Sequence, residues 1–274
     1  MSSPAIAVIH TIVPTIASAG SLLFCLDFDG TLAPIVESPD LAVMLPALAE
    51  TVRTLAAFPT VTVAIVSGRS VADLRQRFDE DIICAGCHGL EMEGPDFRYV
   101  HQGAAHLMPV VDQVAWDLEA AFLDVPGIFV ERKGLSATVH YRQAPPHLED
   151  WLRSTIDLIV APYSGLVRLT RAHKAWEIRP CVEWNKGAAV RYLTRRSAPQ
   201  EPFVICAGDD LTDEDMFSAV VNGISVCVGP QESTRASYRV ASPAEFADFL
   251  QAVCLALCSR QSIDCALKCG TQSQ

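Results

Sequence analysis

Apolar positions along the chain follow two rhythms. Short runs at 22–26, 61–66, 82–85, 203–207 and 224–228 are apolar at almost every position and read as buried strands. Between them, apolar residues recur at helical spacing: Leu45, Leu48, Val52 and Leu55 within 41–58, then Val71, Leu74 and Phe78, and later over 188–193 and 243–257. Strand, crossover helix and strand form a βαβ unit, so the strands at 22–26 and 61–66 are expected to run parallel and end on one edge of a sheet. The class that follows is α/β with a parallel sheet.

From about residue 105 the alternation stops. A helix at 107–123, strands at 128–132 and 136–141 around a Lys133-Gly134 turn, a helix at 146–160 and strands at 166–170 and 175–178 make an α-β-β-α-β-β block. Such a block reads as an inserted α+β domain. The expected division is therefore core over 1–104, insert over 105–180, core again over 181–258 and a flexible polar tail over 259–274. Just before the insert, 87–101 read as a hairpin; His88 and Glu91 could line the cleft beside it, but satisfied surface positions on the hairpin are the better reading of each.

Candidate chemistry gathers at the ends of these strands. The run from Leu22 stops on Asp27, Asp29 and Gly30. Residues two apart on a strand point the same way, so Asp27 and Asp29 can face one reacting group, and Gly30 lets the backbone turn close to a ligand. The strand at 61–66 ends on Ser67-Gly68-Arg69-Ser70, which the βαβ geometry places beside Asp27. Asn185-Lys186-Gly187 opens a helix, where free N–H groups and the dipole already favour an anion, so a lysine there points to an anionic visitor. The strand at 203–207 ends in Gly-Asp-Asp-Leu-Thr-Asp-Glu-Asp, five carboxylates in the seven residues from Asp209. They serve a helix start, and they also repel one another unless a cation neutralises some of them.

Composition narrows the partners. Half of the 274 residues are hydrophobic, enough for a full core. A formal charge of −11, with no basic run, argues against non-specific nucleic-acid binding. Residues 1–20 are apolar but lack Lys and Arg and contain Pro4 and Pro14, which fits a loosely packed arm better than an export signal; no apolar stretch reaches membrane-spanning length. Several of the ten cysteines (Cys25, Cys206, Cys227) sit inside apolar runs and read as small hydrophobes, which indicates a reducing, cytoplasmic setting. Cys254, Cys258, Cys265 and Cys269 are spaced along a helix rather than in the tight pairs of a structural zinc site. The Cys84–Cys87 pair lacks a thioredoxin-like context.

Asp27-Phe-Asp29-Gly-Thr31, Ser67, Lys186 and Asp209 with Asp213, in that order, resemble the haloacid dehalogenase-like (HAD) phosphatases. That resemblance implies a Rossmann-like core with a C2-type cap inserted between the Ser and Lys elements. It further implies Asp27 as nucleophile forming an aspartyl-phosphate, Asp29 as general acid and then base, and Ser67 and Lys186 as holders of the phosphoryl oxygens. Mg²⁺, a hard ion suited to carboxylate and phosphate oxygens, would sit on Asp27, the Asp29 carbonyl and Asp209, with Asp213 behind them. Residues 131–142, the Glu177-Ile-Arg179-Pro180 segment and residues 208–215 are similar to trehalose-6-phosphate phosphatases. By that likeness the sugar phosphate would be bound by Ser67, Gly68, Arg69, Glu131, Lys133, His140, Arg142, Glu177, Asn185 and Lys186, in a chain expected to be monomeric, with association with a trehalose-6-phosphate synthase left open. Capped phosphatases of sucrose 6-phosphate or mannosyl-3-phosphoglycerate, and a silent sugar-phosphate-binding subunit, remain alternatives. The pair Asp27 and Asp29 speaks against the last, since binding alone needs no acid beside the nucleophile.

Overall fold

The computed structural model describes residues 3–4, 9–79, 81–172, 174–197 and 201–270. At its centre lies β2 (Leu22–Leu26), buried at all five positions. Side chains alternate along it, with Leu22, Phe24 and Leu26 entering one core and Leu23 and Cys25 the core on the opposite face. A strand with two apolar faces needs cover on both, and crossover helices supply it. α1 (Ile9–Ser18), α2 (Pro46–Ala56), α3 (Val71–Arg75) and α8 (Pro243–Gly270) contribute to the first core, α6 (Lys186–Arg196) and α7 (Glu214–Ala219) to the second.

The main sheet has the order β1 (Ser3–Pro4), β13 (Tyr238–Val240), β12 (Gly223–Val228), β11 (Phe203–Gly208), β2, β3 (Val61–Val66), β4 (Ile83–Gly86), β5 (Glu91–Gly94), β6 (Phe97–Val100). Pairing is parallel from β1 to β4 and antiparallel from β4 through β6. A separate, cap-like antiparallel sheet runs β7 (Phe129–Arg132), β8 (Ala137–His140), β10 (Ala175–Pro180), β9 (Val167–Ala172). α4 (Gln102–Phe122) and α5 (Glu149–Val160) pack on it through Val114, Leu118, Leu152 and Ile156, against Val139 and Ile178 of the strands. Glu131, Thr138, Glu177 and Thr170 stand side by side across its four strands.

Several elements depart from the hydrophobic pattern. Where the pattern predicts a loose arm, residues 9–18 form α1 and bury Ile12 and Ile16 beside Phe249 and Val253 of α8 in one core. Each such side chain contributes about 1.5–3 kcal/mol on burial, enough together to offset the helix-breaking cost of Pro14. β13 is three residues long, too short to show a period. α4 begins at Gln102 rather than 107, because His101 caps it by accepting from Ala104 N at 3.2 Å. α8 continues to Gly270, past the point at 258 where fraying is expected, since no Pro or Gly interrupts 244–269. The side chains of Cys265 and Cys269 lie outside the described residues. Among the described residues no helix is long and apolar enough to cross a membrane.

Candidate active site

β11, β2 and β3 are parallel neighbours, so the residues that follow them meet at one edge. Asp27 follows β2 and donates its N–H to the Ala207 carbonyl of β11 at 2.9 Å; Ser67 follows β3 and is likewise buried. Lys186 opens α6, which leads into β11, and its Nζ donates to Asp27 Oδ1 at 2.7 Å and to Asp213 Oδ1 at 2.6 Å. All three side chains are buried. Burial opposes the lysine charge, but Asp213 and Asp27 outweigh it and hold the ammonium protonated above its ordinary value. Burial, reinforced by Asp213 and Asp209, holds the Asp27 carboxyl well above the usual carboxylate range against the pull of Lys186.

Asp213, which has no exposed surface, organises the acidic loop. Its Oδ2 accepts from the backbone N–H groups of Asp209 (2.9 Å) and Asp210 (3.0 Å). Two glycines make this crowding possible. A Cβ on Gly30, whose φ is +87°, would lie 2.0 Å from Asp209 Oδ2, and one on Gly208 would lie 2.2 Å from Asp213 Cγ. Thr31 Oγ1 donates to Asp209 Oδ1 at 3.2 Å, while burial and then Asp213 push the Asp209 carboxyl up to about 7. Asp27, Asp209 and Asp213 each bring a carboxylate oxygen within 4.8 Å of the others, a hard oxygen set that fits a divalent cation. Both oxygens of Asp213 already accept hydrogen bonds, so Asp27 and Asp209 are the carboxylates with ligand capacity to spare and Asp213 holds them in place.

Asp29, less buried, is gripped by Arg69: Nε to Oδ2 and Nη2 to Oδ1, both 2.7 Å. Arg69 also donates to Asp73 Oδ2 (2.7 Å) and the Pro39 carbonyl (2.7 Å), and its guanidinium lies 5.0 Å from the centre of the Phe28 ring. Besides the expected substrate contact, Arg69 thus has a role in positioning Asp29. Although it lines the cavity, its donors are directed at Asp29 and the loop around it, the bidentate geometry that a planar fork favours.

Above these residues lies a cavity of about 500 Å³, closed from the other side by the cap-like sheet. Gly68, Glu131, Lys133, His140, Arg142 and Glu177 line it with Asp27, Asp29, Ser67, Lys186 and Asp209. His140 Nε2 lies 2.7 Å from Glu131 Oε2, and Lys133 Nζ is 3.5 Å from the same oxygen and donates to the Gly68 carbonyl at 3.3 Å, tying the two sheets together. Arg142 makes a second tie, to the Val36 carbonyl. Asn185 is not in this cavity; its carboxamide caps α6, accepting from Ala188 N at 2.9 Å, as an asparagine at that position is suited to do.

His88 is the main residue that the hairpin reading misplaces. Cys87 and His88 both have positive φ, and the turn they make directs the imidazole inward to meet Glu177, Nε2 to Oε2 at 2.8 Å. Burial lowers the His88 pKa, so the ring is neutral at neutral pH and donates Nε2–H to the carboxylate. Glu177 is buried, which opposes its charge, yet His88, together with Arg179 and Lys133, keeps it ionised below the ordinary range, and Oε1 has no hydrogen-bond partner among the described residues. A Cys-His-Gly run between two strands was the only signal in the sequence. Thr138, Thr170 and Gln231 also line the cavity, from positions with no chemical pattern of their own. Glu91 instead accepts from Val71 N at 2.8 Å and stays structural.

The family model described as trehalose-phosphatase matches residues 25–244. A probable trehalose-phosphate phosphatase D of Arabidopsis thaliana is 36% identical over 258 residues, which span 86% of this chain and 68% of the relative. Among solved structures, the C-terminal domain of C. albicans trehalose-6-phosphate phosphatase superposes with a TM-score of 0.79 at 24% identity, covering 92% of this chain and 98% of that one. A trehalose-6-phosphate phosphatase related protein gives 0.77 at 27%, covering 88% and 100%.

Proposed function

Because the chain belongs to the trehalose-phosphatase family, we propose that it hydrolyses trehalose 6-phosphate to trehalose and phosphate through an aspartyl-phosphate on Asp27. The observation that carries this reading is the convergence of Asp27, Lys186 and Asp209 at adjoining strand ends, with Asp29 two residues on, beneath the row Glu131, Thr138, Glu177 and Thr170. Phosphoryl transfer needs positioning and charge neutralisation more than elaborate covalent chemistry. In this scheme the Asp27 carboxylate attacks phosphorus, and the ester oxygen leaves with a proton from Asp29. Lys186 and Ser67 hold the phosphoryl oxygens. Asp29 then takes a proton from the water that hydrolyses the acyl-phosphate. A Mg²⁺ ion held by Asp27, Asp209 and the Asp29 carbonyl would neutralise charge on the phosphoryl group. Residues 105–180 act as the closing cap, presenting Glu131, Lys133, His140, Arg142 and Glu177 to the sugar hydroxyls.

The test is phosphate release with Mg²⁺ from trehalose 6-phosphate, sucrose 6-phosphate and mannosyl-3-phosphoglycerate. A preference of at least about tenfold in kcat/KM for trehalose 6-phosphate is expected, the discrimination that a buried hydrogen-bonding pocket supplies. Equal or faster release from either competitor would contradict the substrate, and full turnover in excess EDTA would contradict the metal.

A further inference from the structure

A second cavity, of about 930 Å³, lies behind the first, and Thr170 and Thr212 line both. Its cap wall carries Arg168 on β9 and Arg179 on β10, directly opposite each other in register. Like charges in opposed cross-strand positions repel. Glu177, two residues along β10, and Asp215 offset part of that repulsion, but neither supplies Arg179 with a hydrogen bond. Arg179 is only 5% exposed, yet neither its Nε nor its Nη2 has a hydrogen-bond partner among the described residues, and Nε of Arg168 is also without one. Arg168 donates Nη2 to the Trp184 carbonyl at 2.9 Å, which leaves its charge uncancelled. A buried guanidinium without acceptors is costly, because its donors have left water and met nothing in return.

Arg191 of α6 faces the same cavity from the core wall. Counting Arg235, four arginines meet three carboxylates in this cavity, namely Glu183 at the exposed rim, Asp215 and Glu214, which accepts from the Arg235 backbone N–H at 2.7 Å, so one positive charge is in excess. We propose that Arg168, Arg179 and Arg191 form a second oxyanion site, which takes a phosphate-sized tetrahedral group between the cap-like sheet and α6. A tetrahedral oxyanion offers several acceptors at once, which is what two opposed forks with free N–H groups require. By bridging the two walls it would also fasten the cap-like sheet to the core. The ligand is either free phosphate or the phosphoryl group of an ester.

The test is calorimetric titration of the full chain with inorganic phosphate in EDTA. No turnover and no metal are needed, so the result stands apart from the fate of the proposed reaction. Wild type is expected to bind two equivalents, one in each cavity. Arg168→Gln and Arg179→Gln should each weaken one class at least about tenfold, the loss of a charged hydrogen bond, while Mg²⁺-dependent turnover of p-nitrophenyl phosphate stays within about threefold of wild type. If Arg179→Gln fails to fold, Arg191→Gln on the exposed side of α6 carries the test and should weaken the same class at least about threefold. A single class in wild type, or a second class unchanged in Arg168→Gln and Arg191→Gln, would overturn the site. Glucose 6-phosphate in the same buffer separates the sources. Binding to the arginine-dependent class at least tenfold tighter than phosphate marks an ester as the ligand, and equal or weaker binding marks free phosphate.

Discussion

The edge of the parallel sheet and the inner face of the cap-like sheet confront each other across one cavity, yet they treat their polar groups differently. On the core side the charges answer one another: Lys186 joins Asp27 to Asp213, Asp213 collects two backbone N–H groups, and Arg69 takes both oxygens of Asp29. On the cap side, Glu177 Oε1 and the Thr138 hydroxyl are buried without hydrogen-bond partners among the described residues. An unpaired buried polar atom costs about 1–3 kcal/mol. A closed network fixes geometry, whereas open acceptors and donors are completed by a ligand. The contrast assigns chemistry to the strand ends and substrate choice to the cap.

Asp27→Asn should break that assignment most severely. It removes the carboxylate proposed to attack phosphorus, so turnover should fall by about 10³-fold or more on trehalose 6-phosphate and p-nitrophenyl phosphate alike, read from initial rates. A variant retaining a tenth of wild-type activity would exclude Asp27 as nucleophile. Arg69→Gln comes next. Since Arg69 directs its donors at Asp29, kcat should drop roughly 10 to 100-fold with KM nearly unchanged, the cost of displacing the proposed proton donor. A rise in KM at constant kcat would instead return Arg69 to substrate binding.

The smallest effect concerns the metal. The Asp209 carboxyl titrates at about 7 in the folded chain, above its ordinary value of 3.8, so the metal-free fold holds a proton that the unfolded chain releases. The stability contributed by this group is therefore full below about pH 4 and lost as pH rises through 7. If Mg²⁺ binds Asp209 as proposed, it would take the place of that proton, so the gain in Tm on adding Mg²⁺ should be larger at pH 8 than at pH 5.5, by a few degrees. Equal gains at both pH values in a thermal melt would dissociate the cation from Asp209.

How much of this was legible in the sequence divides along the same line. Apolar runs ending in Asp27, Ser67 and Asp209 are local signals, and parallel neighbours bring their ends together without further information. Family membership and the HAD-like fold were likewise within reach, because the order of these elements spans most of the chain. What stayed hidden depends on contacts between distant segments. His88 reads as a hairpin residue until its positive φ turns it onto Glu177, 89 positions away. The partners of Arg69 and Asn185, both read as substrate-binding residues, were equally hidden: Arg69 shares its donors among Asp29, Asp73 and Pro39, and Asn185 caps α6. α1 was obscured by Pro14, whose local cost is outweighed by burial against α8.

Glu177→Ala assayed on two substrates tests the division of labour most directly. Glu177 lines the cavity and its Oε1 has no hydrogen-bond partner among the described residues; if it serves the sugar as proposed, losing one charged hydrogen bond of about 1.5–3 kcal/mol should lower kcat/KM for trehalose 6-phosphate at least about tenfold. p-Nitrophenyl phosphate, which reaches the core without filling the cap, should lose less than about twofold. Equal losses on both substrates, or none on either, would contradict the assignment of substrate choice to the cap.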